Sequence, residues 1–434
     1  MVSDLNFQEE NIPYTIKDAI KEAKRCLRCK NPQCVQGCPI DNDIPDFIFQ
    51  LSKGNFGEAR AIIGQKSNLP AVCGRVCPHE LQCVGHCVLN KKDAPIQVGK
   101  LEQFVADFDY EMELITERVI AKSRGKIAVI GSGPAGLTVA GELAKAGFNV
   151  VVFEAEKEPG GILLYGIPEF RLSSEIVRRE INKITSYGVS IIPNTMVGID
   201  ITIDEMFKQN FDAIFIGSGT ALSRELDIKG KEKKGIISAV YFLRMVTLFN
   251  ENYIERKSIS VAVGDKVVVV GGGNVAMDTA RTALRMGASS VTIVFHMKEE
   301  ELNATKSEYL STLEEGVTMS FSSNSVEFMG DEKITGLKVI KDGEEKIIEA
   351  DKILIAIGSR PANRIVSSTE GIDIDDKGYV ITKEKPYGMT TKKGVFAGGD
   401  VVHKPKTVVV AMKEAKKVAF GIAAYVDAVK LLDL

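Results

Sequence analysis

The chain opens on a helical pattern. In TIKDAIKEAKRC, Thr15 to Cys26, apolar residues recur at helical spacing, and Pro and Gly then break the pattern among a run of cysteines. A charged stretch ending in AKSRGK leads to the apolar run Ile127–Ile130, the glycine turn GSGPAG, a helical pattern and a second apolar run, VVVFE. The same order restarts at KVVVVGGG, Lys266 to Gly273, and GVFAGGD, Gly394 to Asp400, precedes another helical stretch. Strand, glycine turn and helix in alternation predict an α/β chain with parallel sheets. The expected domains are a small helical one over 1–115, a first nucleotide-binding part over 122–225, a second nucleotide-binding domain over 226–360, and a return to the first over 361–434.

Length agrees, since 434 residues exceed what one core accommodates. A composition 44% apolar and 26% charged, with net charge −3, is that of an ordinary globular protein, and neither a nucleic-acid binder nor a disordered chain. No stretch approaches the roughly 20 continuous apolar residues of a membrane span, and MVSDLNFQEE lacks a signal pattern. A cytoplasmic location is expected.

All eight cysteines lie between Cys26 and Cys87. In a reducing compartment such a block points to metal rather than disulfides. Cys26, Cys29, Cys34 and Cys38 are separated by two, four and three residues, with Pro39 following; Cys73, Cys77, Cys83 and Cys87 form a second group, also with a Cys-Pro. Soft thiolates at short gaps suit iron–sulfur cubanes, and two groups suggest two clusters. Structural zinc, opened by the Cys26/Cys29 pair, is the alternative. His79 and His86 are possible ligands, but solvated surface histidines are the expectation.

In the first repeat Gly131, Gly133 and Gly136, with Pro134 and Ala135 between them, form G-x-G-x-x-G directly after a strand and at the start of a helix. Glycine permits the tight turn and lets backbone N–H groups approach a pyrophosphate at the positive end of the helix dipole. Glu154, at the end of the second strand, is placed to accept from ribose hydroxyls. The second repeat carries Gly271, Gly273, Asn274, Val275 and Ala276, but no acid at its strand end; His296 and Lys298 follow instead. Basic groups there lean towards NADP(H), with NAD(H) as the alternative. Lys404, Lys406, Lys413, Lys416 and Lys417 read as a solvated helix face that can attract an acidic partner.

The marks CLRCKNPQCVQGCP, CGRVCPHELQCVGHC, GKLEQF, GSGPAG, GGILLYGIPEFRL, GGGNVAMD and AGGD, taken in order, resemble the glutamate synthase small-subunit family. That family includes the large subunit of NADH-dependent reduced ferredoxin:NADP oxidoreductase and the N-terminal half of dihydropyrimidine dehydrogenase. The resemblance implies two Rossmann-like FAD and NAD(P) domains of the disulfide-reductase-like type, preceded by a helical domain with two 4Fe-4S clusters. It gives one cluster to Cys26, Cys29, Cys34 and Cys87, and the other to Cys38, Cys77, Cys83 and the carboxylate of Glu102, with Cys73 spare. It sets Gly160 to Pro168, including Gly161, beside the flavin ring, and gives Gly399 and Asp400 to the ribityl-phosphate region. The resemblance lapses at His296 and Met297, where relatives carry two arginines, at Lys413 and Ala415, where glycines are usual, and at KPKT before Val408.

The implied activity is hydride transfer from a nicotinamide to FAD and single-electron transfer through the clusters to a separate catalytic or electron-accepting subunit. A glutamate synthase large subunit or a ferredoxin-linked flavoprotein subunit would fit, as would the pyrimidine-reducing partner of a dihydropyrimidine dehydrogenase. A non-catalytic assembly subunit is the rival reading, and two intact nucleotide motifs argue against it.

Overall fold

The computed structural model describes residues 6–114, 120–362, 364–404 and 407–432. Lys406 therefore lies outside the described residues. The chain folds as two compact units.

The larger unit comprises Asn11–Leu163, Ser174–Ala221 and Arg360–Leu434. Its first part is helical, with Ile16–Ala23, Ile44–Ser52, Phe56–Lys66, Pro70–Val76 and Val98–Met112 around a core of Phe47, Ile48, Leu51, Ile63 and Leu101. Proline at the first turn of the second and fourth of these helices costs no hydrogen bond, because those N–H groups have no intrahelical partner. The last two cross closely: a Cβ on Gly74 would lie 2.6 Å from the Gln103 backbone nitrogen.

The rest of the unit is a seven-stranded sheet in the order Thr382–Glu384, Tyr387–Thr390, Val395–Ala397, Ala213–Ile216, Lys126–Ile130, Asn149–Phe153, Ser190–Ile192. The last five run parallel, and the first two are an antiparallel edge. Central parallel strands are covered on both faces, which is why IAVI and AIFI are unbroken apolar runs. Helices Pro134–Lys145, Ser174–Ser186 and Val408–Leu432 belong to this unit. Lys416 of the last is not part of a freely solvated face, since it reaches Glu142 at 3.6 Å and the Gln65 carbonyl at 3.5 Å. Lys417 is exposed.

Polar contacts join the helical part to the sheet part of the same unit. Asn68 Nδ2 donates to Glu142 Oε1 at 2.8 Å, and the Ala71 N–H to Glu180 Oε1 at 2.6 Å. Asp107 is gripped by Arg75 and Arg179, and Asp109 by Arg60 at 3.0 Å.

The smaller unit is formed by the described part of Met1–Glu10, by Leu164–Ser173 and by Leu222–Ser359. Its parallel sheet has the order Ile236–Ser238, Lys352–Ile355, Lys266–Val270, Ser290–Val294, Thr318–Ser320, and an antiparallel three-stranded sheet follows at Ser323–Gly330, Ile334–Lys341 and Glu344–Glu349. One ionic network binds its distant segments. Arg281, on helix Asn274–Arg285, reaches Glu10 at 2.5 Å, Glu315 at 2.6 Å and Glu308 at 3.1 Å, with its side chain only 2% exposed. Arg285 meets Glu10 and Glu315, and both guanidinium groups lie over the Phe170 ring. Arg171 pairs with Asp278 at 2.9 Å and Glu308 at 3.0 Å.

Removing one partner of a buried pair leaves the others desolvated and uncompensated. Arg281→Ala is therefore expected to destabilise the smaller unit by about 3 kcal/mol, read as a lower urea midpoint for that unit. Lys257→Ala, which removes an ion pair with both partners mostly exposed, should leave the midpoint unchanged.

Candidate functional site

Two glycine loops have the same physical design. Gly131 has φ +91°, and a Cβ there would lie 2.8 Å from the Gly217 carbonyl. On Gly136 a Cβ would come within 1.9 Å of the Gly131 carbonyl, so helix Pro134–Lys145 sits against its own loop only because both residues are glycine. Gly133, by contrast, has nothing within 4 Å of a Cβ position. Pro134 supplies the first helical residue, and no side chain caps this helix among the described residues. The space beside Gly133 thus lies at the positive end of the dipole, next to N–H groups that have no intrahelical partner, which suits a phosphate.

Two segments distant in sequence close on this loop. Gly161, at φ +54°, comes so near that a Cβ would lie 2.8 Å from Gly133 Cα. A Cβ on Gly399 would lie 2.9 Å from that of Ala135, which brings the half-buried Asp400 next to the same helix start. Glu154 is buried, but the structure gives it a task besides the expected ribose contact. Its Oε2 accepts from Ser132 N at 2.9 Å and from Ser132 Oγ, and its Oε1 from Glu156 N at 2.8 Å. Ser132 Oγ in turn accepts from Gly160 N at 2.9 Å. Ser132, which sequence reasoning passed over, thus ties the loop, the strand end and the Gly160 segment together; its middle place in Gly-Ser-Gly was the available signal.

In the smaller unit Gly271, at φ +150°, faces the Ala356 carbonyl, 2.5 Å from a Cβ position, and Gly273 again has nothing within 4 Å. Helix Asn274–Arg285 begins without a side-chain cap, and Ala276 is fully buried where the first repeat has its third glycine. Val275 is 39% exposed. Asn274 turns onto the following loop, its Oδ1 accepting from Thr305 N at 2.8 Å. His296 and Lys298 are exposed; the His296 ring meets Phe295 edge-on, and the Lys298 N–H donates to Glu301 Oε2 at 3.1 Å.

The thiols fall into two groups. Cys26, Cys29, Cys34 and Cys87 line one pocket with about 410 Å³ of empty space, its open mouth included, walled by Ile44, Ile48, Ile96 and Val98. Cys38, Cys77 and Cys83 each feel the charge of Glu102. Left-handed backbone at Arg28 (φ 49°) and Asp41 (φ 51°) turns the chain around these cysteines. Burial, with Cys26 and Cys87 beside it, pushes the Cys34 thiol up to about 11, and burial foremost does the same to Cys38. Such a shift reports thiols crowded together out of water, where positive charge is needed to hold them as thiolates.

Glu102 is the most telling residue of the second group. It is 7% exposed, its Oε1 is buried without a hydrogen-bond partner, and burial together with the nearby Glu180 carboxylate pushes its pKa up to about 8 against the pull of Arg60. A buried carboxylate oxygen with no donor is costly. An iron of a cluster is a partner that would satisfy it, so these residues fit the group. No three His, Cys, Asp or Glu side chains among the described residues converge on a single point as one zinc ion asks. In a cubane each thiolate meets a different iron, and the sulfurs ring a volume instead.

Cys73 stands apart. Its Sγ accepts from Ser67 Oγ at 3.7 Å and lies 3.8 Å from Met412 Sδ, behind Cys77. His79 corrects the expectation of a solvated surface residue: it is half-buried, its Nε2 is out of solvent, its ring lies against Gly99, where a Cβ would come within 2.3 Å, and desolvation pushes its pKa down to about 4. His86 is exposed and its Nδ1 donates to the Gln82 carbonyl.

Comparison with known proteins agrees with this geometry. Residues 3–114 match the family described as dihydropyrimidine dehydrogenase domain II, 4Fe-4S cluster, and residues 125–415 match the pyridine nucleotide-disulphide oxidoreductase family. The glutamate synthase [NADPH] small chain of Escherichia coli K12 is 33% identical over 98% of this chain and 95% of its own length. The chain belongs to the glutamate synthase small-subunit family. The NAD-dependent dihydropyrimidine dehydrogenase subunit PreT of the same organism is 34% identical over 97% of this chain and 98% of its own. Among solved structures, a thioredoxin reductase from T. acidophilum shares the fold, with TM-score 0.54 and 22% identity over 70% of this chain and 98% of that one.

Membership makes this family member an FAD and iron–sulfur electron-transfer subunit and an NAD(P)H-dependent flavin oxidoreductase. It does not make it a disulfide reductase, because residues 88–434 contain no cysteine. No helix among the described residues is long and apolar enough to cross a membrane. Gly136→Ala, which forces a methyl group onto the Gly131 carbonyl, is expected to yield protein that elutes largely free of flavin, as measured by absorbance of the purified protein near the flavin bands.

Proposed function

We propose that the first glycine loop, with Glu154, Gly161, Gly399 and Asp400, holds FAD; that Gly271, Gly273, Asn274, Val275 and Ala276 hold the nicotinamide nucleotide, with His296 and Lys298 near its ribose; and that the cysteine block holds two 4Fe-4S clusters. Cys26, Cys29, Cys34 and Cys87 ligate one, and Cys38, Cys77, Cys83 and Glu102 the other. The observation that carries this reading is that the thiol groups and the flavin-type loop share one compact unit, held by Asn68–Glu142 and Ala71–Glu180. When bound, the cofactors supply hydride transfer from nicotinamide to flavin and one-electron steps through the clusters.

The chain's own part is placement and electrostatics. Ser132 fixes the loop to Glu154 and Gly160, and the uncapped helix starts receive the pyrophosphates. Ile44, Ile48, Ile96 and Val98 give one thiol group an apolar wall. Glu102 at the other would replace a soft thiolate with a harder carboxylate oxygen of the same charge, which would set the two clusters' potentials apart. No side chain need move a proton for hydride transfer itself.

Two relatives bear the names of a glutamate synthase chain and a dihydropyrimidine dehydrogenase subunit. We take the electrons to pass to a separate subunit of that kind, in the cytoplasm. The test is anaerobic purification with identification of what co-elutes, followed by mixing with NADH or NADPH; bleaching of the flavin by at least one of them is expected, and bleaching by neither defeats the hydride reading. For the ligands, Glu102→Ala should alter one of two cluster EPR signals, while Cys73→Ala leaves both in place. The reverse pattern would overturn the assignment.

A further inference from the structure

The second nucleotide repeat departs from the first at the position that reads the adenosine ribose. Where the first has Glu154 directly after its second strand, the second has Phe295, a buried ring packed so closely on the loop that a Cβ on Gly272 would lie 2.4 Å from it. No carboxylate or cation can occupy that place. The residues next along the strand exit are His296, Met297, Lys298, Glu299, Glu300 and Glu301, all exposed.

The charges in that stretch are unequal. Between Met286 and Lys306, Lys298 and Lys306 are the cations, against three carboxylates in the strand exit itself. Two of the three are held in place: Tyr309 Oη donates to Glu299 Oε1 at 2.8 Å, and the Lys298 N–H donates to Glu301 Oε2 at 3.1 Å. The guanidinium groups of the preceding helix Asn274–Arg285, those of Arg281 and Arg285, belong to side chains each 2% exposed and are engaged by Glu10 and Glu315.

We infer that this site takes NAD(H) and discriminates against NADP(H), with Glu299 and Glu301 as the specificity-determining residues. The inference rests on the reading of this repeat as the nicotinamide site. A 2'-phosphate is a dianion at neutral pH or close to it, and it would enter a field of three carboxylates with the ammonium groups of Lys298 and Lys306 but no guanidinium fork to receive it. A ribose 2'-hydroxyl is a donor, and carboxylates accept from it. The names of similar chains do not decide the matter, since one is an NADPH protein and another an NAD-dependent one.

The experiment uses the anaerobically prepared holoprotein, mixed at sub-saturating concentration with NADH or NADPH while flavin absorbance is followed. Bleaching with NADH is expected to be more efficient by roughly tenfold or more, the size a like-charge encounter produces. Equal efficiencies, or a preference for NADPH, overturn the inference and leave the hydride reading standing; bleaching by neither overturns that reading. Binding to the native protein gives a readout free of turnover: 5'-AMP should bind more tightly than adenosine 2',5'-bisphosphate, and the opposite order overturns the inference. Glu299→Gln combined with Glu301→Gln should move the NADPH:NADH ratio towards NADPH, and an unchanged ratio in folded protein would overturn the assignment to these two residues.

Discussion

Helix Pro134–Lys145 meets its own glycine loop at a distance that no side chain survives. The 1.9 Å between a Cβ position on Gly136 and the Gly131 carbonyl fixes where the helix starts relative to the strand, and that start determines where N–H groups face open space. Gly161 and Gly399 close on the same point under the same restriction. A nucleotide-binding place results from what these positions lack. Ser132 then adds a polar tie, holding Glu154 and the Gly160 segment on either side of the loop.

The helical part solves a different problem. It gathers thiols and one carboxylate away from water, which raises the cost of charging Cys26, Cys34, Cys38, Cys77, Cys83 and Glu102. A fold built that way is stable in its charged state only with positive charge at the centre, so burial here works together with metal binding rather than against it. Arg60 bears on both carboxylates of the junction, Glu102 and Glu180, and is itself paired with Asp109. Its position links the acidic ligand candidate to the contact between helices and sheet within the larger unit.

The smaller unit spends its buried charge elsewhere. Arg281, Arg285 and Arg171 hold the N-terminal residues, the Leu164–Ser173 segment and helix Asn274–Arg285 to one another. With those guanidinium groups engaged in structure, the exit of strand Ser290–Val294 is left to His296, Lys298 and three glutamates.

Sequence alone determined the alternation of strands and helices, the two glycine loops and the concentration of thiols, because each is written in short-range spacing: unbroken apolar runs for central parallel strands, glycines at two- and three-residue intervals, cysteines a few residues apart. It also offered Glu102 only through resemblance, since nothing in GKLEQF announces a buried carboxylate without a donor. The tertiary structure decided what depends on contacts between distant segments. It placed four of the eight cysteines around one pocket and three beside Glu102, and set Cys73 against Cys77, Ser67 and Met412. It packed His79 against Gly99, gave Glu154 a partner in Ser132, and put the Phe295 ring against Gly272 where an acid could have stood. Those choices follow from burial and packing, which no local pattern of residues encodes.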